Sequence, residues 1–181
     1  MTQLLQDIFT LEDAENFDEA FDAYNDIYNQ NKNDYEVWKH FYFFLWTAIE
    51  DAPSSFHDKI NLRHLMRVMF DEGKKTFADN ADFNFIAGYT VSIFPYEYGD
   101  YDDLEKEGHA MLLKASQLQP DNLIYRLVYF GSIPNVDRQQ YRQLEIDAAP
   151  KVLETFSGTG TLNKYFRQVL YRFLSFPSFP V

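Results

Sequence analysis

Six carboxylates fall within residues 97–107: Glu97, Asp100, Asp102, Asp103, Glu105 and Glu107. Tyr96, Tyr98 and Tyr101 are interleaved with the first four. Paired carboxylates can do acid–base work, but only where apolar surroundings push their pKa values apart. A dense run alternating with phenols is expected to be solvated, with Asp102 or Asp103 capping the helix that follows. Its better use is binding. Tyrosine is amphipathic, has few rotors and is enriched at interface hot spots, and carboxylates beside it suit the lysines and arginines of a basic partner. A second acidic feature, Asp18, Asp22 and Asp26, recurs at i, i+4 and i+8, so it lines one helix face, either as an interface or as a hydrated surface. The candidate partner-binding residues are therefore Tyr96, Glu97, Tyr98, Asp100, Tyr101, Asp102 and Asp103, with Asp18, Asp22 and Asp26.

Other chemistries find little support. The chain has no cysteine, which removes disulfides, thiolate metal ligands and thiol nucleophiles, and fits a reducing compartment. No Gly-x-Ser-x-Gly elbow is present, so an activated serine has no recognisable setting. The histidines at 40, 57, 64 and 109 are scattered; only His57 and His64 are near in sequence, and no metal site is expected from them. Residues 158–164, Gly-Thr-Gly-Thr-Leu-Asn-Lys, are glycine-rich and run into a helix. A phosphate loop, however, needs its lysine directly after the last glycine and a strand before the first. Neither holds, and the segment reads as a turn. The expectation is a protein without catalysis, cofactor, metal or small-molecule substrate.

Charge points the same way. The formal net charge is −12 at pH 7, which opposes binding to nucleic acid or an anionic membrane and attracts a basic protein. The bland counterpart is acidity that only maintains solubility. Acid is concentrated at the start: residues 1–36 hold Asp7, Glu12, Asp13, Glu15, Asp18, Glu19, Asp22, Asp26, Asp34 and Glu36 against Lys32 alone. Residues 138–172 are mildly basic, so the N-terminal part should present a negative face. The first residues lack the basic start and apolar run of a signal peptide, and no stretch nears the roughly 20 apolar residues that span a bilayer. A cytoplasmic, soluble protein is expected.

These residues must be positioned by helices. With 181 residues, of which 46% are apolar and 18% aromatic, the chain can bury one ordinary core and is not of disordered composition. Leu4, Ile8 and Leu11 recur at helical spacing, as do Phe17, Phe21, Tyr24 and Tyr28 after a break at Glu15 and Asn16. Helices are predicted over 35–50 and 58–72, with Gly73 as a stop. The stretch 82–94 is apolar nearly all round and reads as central, with Gly88 permitting close backbone approach. Further helices are predicted over 104–118, 122–130, from Asp137 and Gln140 through Ala148, from Pro150 to Phe156, and over 162–174. No alternating strand pattern survives. The class is all-α, a single domain over residues 1–174 with a Phe/Pro tail at 175–181.

The hairpins so defined resemble the tetratricopeptide repeat, a helix–turn–helix unit of about 34 residues. Ala20 takes that family's small position on the second helix, Tyr24 its aromatic position and Ile27 its next apolar one; Trp38, Phe41 and Leu45 follow in the next unit. Lys114-Ala115 with Pro120-Asp121-Asn122 resembles the end of such a unit, and Ala87-Gly88 its close-packing pair. Lys32 stands where proline is usual, and Phe130-Gly131 is one residue out of frame with Pro120. The resemblance implies stacked antiparallel hairpins forming a right-handed solenoid.

In overall character, small, acidic, cysteine-free and helical, the chain is also similar to the immunity proteins of bacterial toxin systems. That resemblance implies a non-enzymatic inhibitor that covers a cognate toxin, often a basic nuclease, after electrostatic steering. The competing expectation is a repeat-type adaptor or secretion chaperone that holds a client peptide in a concave groove. Oligomeric state is open on either reading.

Overall fold

The computed structural model describes residues 2–171, and these form ten α-helices, one 3-10 turn and no strand. The helices are α1 (Thr2–Asp13), α2 (Phe17–Gln30), α3 (Tyr35–Asp51), α4 (Ser54–His57) and α5 (Leu62–Thr76). They continue as α6 (Ala81–Ile93), α7 (Tyr101–Leu118), α8 (Leu123–Ser132), α9 (Arg138–Thr155) and α10 (Thr161–Leu170), with the 3-10 turn at Pro95–Glu97. The expected end of the last helix at Leu174 and the tail at 175–181 lie outside the described residues.

Short polar side chains set the starts. Asp34, Asn61, Asn80, Asp100, Asn122 and Asp137 each accept a backbone N–H from the first turn of the helix they open. Each such cap satisfies an orphan donor and contributes about 1 kcal/mol. Between α1 and α2, Glu15 adopts φ 56, so the reversal there is carried by a residue other than glycine. Consecutive helices then pack on one another, α1 on α2, α2 on α3, α3 on α5, α6 on α7, α7 on α8 and α8 on α9.

Sequential packing is broken by α10. It reaches back to α3, α9 and α1, and its Phe166, fully buried, meets Phe43 of α3, Phe85 of α6 and Phe156, just after α9, at centroid distances of 5.3, 5.0 and 5.0 Å. The core centres on α3, whose whole run from Val37 to Ile49 is buried apart from Lys39. Trp38 lies there, stacked on Tyr42 at 4.6 Å, with its indole N–H given to the Met69 carbonyl of α5.

Several sequence expectations are corrected. Gly73 is not a stop but lies buried inside α5, because Trp38 and Phe83 press on it: a Cβ there would sit 2.6 Å from the Phe83 ring and 2.8 Å from Trp38. Pro150 does not begin a helix. It lies on the exposed side of an unbroken α9, where packing of Leu144, Ala148 and Val152 outweighs the loss of one backbone bond. The stretch between the helices predicted over 35–50 and 58–72 contains the short α4, which seats the fully buried Phe56. Gly88 does allow close approach, since α6 and α7 meet there with Gly108 opposite; a Cβ on Gly88 would be 3.0 Å from the Gly108 carbonyl oxygen.

Candidate interaction surface

The tyrosine–carboxylate stretch divides into an inner and an outer set. Pro95 opens a 3-10 turn, and its three-residue period turns Glu97 and Tyr98 inward while Tyr96 stays 54% exposed. Tyr98 is buried and its hydroxyl lies 2.5 Å from that of Tyr42, which also bonds Thr90 at 2.7 Å. Burial raises the Tyr98 phenol well above its ordinary pKa, so it stays protonated in this network. The Glu97 carboxylate is buried too and is held in a fork by Arg63, with Nη2 to Oε1 at 3.0 Å, while its carbonyl accepts from Arg67. Glu97 therefore ties the turn to α5 and Tyr98 ties it to α3, rather than facing outward.

The outer set remains. Tyr96 and Tyr101 are each more than half exposed, and Ile93, at the end of α6, is 45% exposed just before them. Tyr96 leans on Phe94 with ring centroids 5.8 Å apart. Asp100, Asp102 and Asp103 are exposed around this group, and the helix cap is Asp100, which accepts the Asp103 N–H at 3.3 Å, rather than Asp102 or Asp103. Three exposed apolar or aromatic groups beside three carboxylates form a mixed patch at the connection between α6 and α7.

Asp18, Asp22 and Asp26 are exposed on α2, on the side away from buried Ala20, Tyr24 and Tyr28. Asp18 carries an internal partner, Lys59 at 2.7 Å, which ties α2 to the segment before α5. The stripe lies on α2 and the tyrosine patch on the α6–α7 connection, so they are two separate features.

The acidity also has a structural use that composition conceals. Core tyrosines end on carboxylates: Tyr24 donates to Glu12 at 2.9 Å, Tyr28 to Glu72 at 2.8 Å and Tyr125 to Asp82 at 3.0 Å. A phenol whose ring is buried must find an acceptor, and a carboxylate at the rim supplies one. Glu12 does this while also accepting the Thr161 N–H at 2.7 Å, so it caps α10 across 149 residues of sequence. Burial raises the Glu12 carboxyl to about 6, against the opposing pull of the Thr161 and Tyr24 hydrogen bonds. The glycine-rich turn at 158–161 thus already has an anion from its own chain at the helix N-terminus. Gly160, at φ 83, is pressed there by Phe9.

The histidines do not converge. His64 is exposed, His57 bonds the Ala52 carbonyl, and His109 sits half-buried on α7. Among the described residues no group of three histidines or carboxylates could hold a metal ion. His40 is different. It is buried against Phe9 with ring centroids 4.7 Å apart, and burial, then the Lys39 ammonium, pushes its imidazole down to about 3. It lines a cleft of about 550 Å³ between α1, the first turns of α3 and α6, and the α9–α10 turn. Glu36 lies 3.9 Å from the ring, too far for the hydrogen bond that a His–carboxylate dyad needs. Sequence reading missed this cleft, because its walls come from five helices far apart along the chain.

No family model matches the chain, and neither the curated proteins nor the solved structures contain a match to it. The described residues define an all-α class, with ten helices packed largely in sequence. None of the described helices is long and apolar enough to cross a membrane.

Proposed function

We propose that the chain is a non-enzymatic immunity protein that binds and neutralises a cognate basic bacterial toxin, such as a nuclease, in the cytoplasm. The observation that carries this reading is the exposed group of Ile93, Tyr96 and Tyr101 bordered by Asp100, Asp102 and Asp103, on a chain of net charge −12. Aromatic anchors ringed by one sign of charge suit a folded partner of opposite sign, with steering from a distance and anchoring on contact. Glu97 and Tyr98 support the patch from beneath. The hairpins are read as tetratricopeptide-like, Ala20, Tyr24, Trp38 and Phe41 occupying the close-packed positions.

The rival reading, an adaptor or secretion chaperone with a peptide in its concave groove, is weaker. The side of α3 and α6 that would hold a peptide is filled by Tyr165 and Phe166 of α10.

The test is co-expression with the protein encoded directly upstream of this chain. Growth is expected to be arrested by that protein alone and restored by this one. Rescue should be lost with Asp102→Lys plus Asp103→Lys and with Tyr96→Ala plus Tyr101→Ala, while helical circular dichroism stays unchanged; Asp100 is left intact because it caps α7. Absence of toxicity or of rescue ends the immunity reading, and rescue by both variants removes the patch.

A further inference from the structure

The cleft beside His40 has features that the patch does not explain. Its walls are apolar, from Phe9 of α1, Ile86 of α6 and Leu162 of α10, and its rim is charged. Asp34, Glu36 and Asp82 stand there against the one ammonium of Lys39, which touches Glu36 Oε1 at 2.9 Å and Asp82 Oδ2 at 3.3 Å. The second Asp82 oxygen accepts from Tyr125, and one Asp34 oxygen caps Val37. Three carboxylates against one cation leave an excess of negative charge at the mouth.

His40 is the second, independent observation. Its side chain is only 9% exposed, it lines the cleft, and its Nε2 lies 3.9 Å from Glu36 Oε2, beyond hydrogen-bond reach. A mostly buried neutral imidazole on a cleft wall offers a ring nitrogen as acceptor to a donor that enters. A lysine from the partner would meet Lys39 as a second point charge. A guanidinium is flat, spreads its charge, stacks on rings such as Phe9 and offers several N–H groups to carboxylates and to an imidazole nitrogen together.

We propose that this cleft receives an arginine side chain of a protein partner, with its methylene stem along Phe9 and Ile86 and its guanidinium among Glu36, Asp82 and His40. The inference shares a basic partner with the proposed function but rests on different residues, so the two can fail separately.

The probe is N-acetyl-arginine amide, titrated into the isotope-labelled full chain while the His40 imidazole and the Val37 and Ile86 amides are followed by NMR. Saturable shifts are expected with a Kd of about 1 mM, the strength a ligand of this size sustains. The citrulline counterpart, equal in shape and neutral, should leave these signals in place. Glu36→Gln, at a side chain 55% exposed and outside the core, should weaken binding about fivefold without unfolding the chain. No saturable shift, equal binding of the citrulline compound, or unchanged affinity in Glu36→Gln would each overturn the cleft assignment. Equal binding of N-acetyl-lysine amide would overturn the guanidinium choice. Loss of the cleft with rescue still sensitive to Asp102 and Asp103 would leave the toxin-binding patch standing.

Discussion

A carboxyl raised to about 6, as that of Glu12 is, holds a proton in the folded chain at pH values where the unfolded chain has released it. An imidazole lowered to about 3, as that of His40 is, does the reverse, staying neutral in the fold where the unfolded chain is charged. The signs oppose. His40 contributes stability that is complete above about pH 6.5 and declines as pH falls, by up to about 1.4 kcal/mol per pH unit. Glu12 destabilises the fold as pH rises from about 4.5 to 6, because its charged form is the disfavoured one in the buried site. Between about pH 4.5 and 6 the two slopes offset, and below that window only the His40 loss continues. The Glu12→Gln variant should therefore show a steeper fall of stability between pH 6 and 4.5 than the parent, read from urea midpoints. Parallel curves for the two proteins would show that Glu12 keeps an ordinary pKa. At this scale the sequence was poorly legible: Glu97 and Tyr98 look no different from Asp100 and Tyr101 in a string of acids and phenols. Only the 3-10 turn begun by Pro95 decides which of them point inward.

At the scale of elements, helix propensity and packing disagree at Gly73. Replacement by alanine gains about 1 kcal/mol of propensity in a helix interior. The added methyl would, however, press on Phe83 and Trp38, both fully buried rings with no room to retreat. Overpacking of that kind costs about 1–3 kcal/mol, so Gly73→Ala should lower the melting temperature. Gly99→Ala, whose nearest neighbour is one Leu104 methyl at 3.2 Å in an exposed turn, should change it little. A Gly73→Ala protein as stable as the parent would mean that α5 can slide away from α3. The same conflict explains which elements could be read in advance. Helices with a clean apolar stripe and an Asx start, such as the one opened by Asn122, were legible in the chain. Gly73 and Pro150 carry strong local stop signals, and tertiary contact overrides both. The return of α10 onto α1 and α3 leaves no periodic trace, since it depends on single contacts such as Tyr165 on Phe43 and Lys164 on Asp13.

At the scale of the whole molecule, the excess of negative charge acts over a distance that salt controls. With a Debye length of about 8 Å at physiological ionic strength, steering of a basic partner is partly screened. Association with the proposed basic partner should slow by at least tenfold between about 20 mM and 500 mM salt, while dissociation, set by short-range contacts of Tyr96 and Tyr101, should change much less. Stopped-flow measurement separates the two rates, and an association rate indifferent to salt would leave the acidity as a solubility device alone. The position of Phe166 has a further consequence for how the protein comes into being. On the ribosome, the aromatic strip of α3 around Phe43 emerges more than a hundred residues before the side chain that covers it. At synthesis rates of about 5–20 residues per second, that strip waits roughly 6–25 s without its cover. The nascent chain thus passes through an adhesive stage whose length is set by translation.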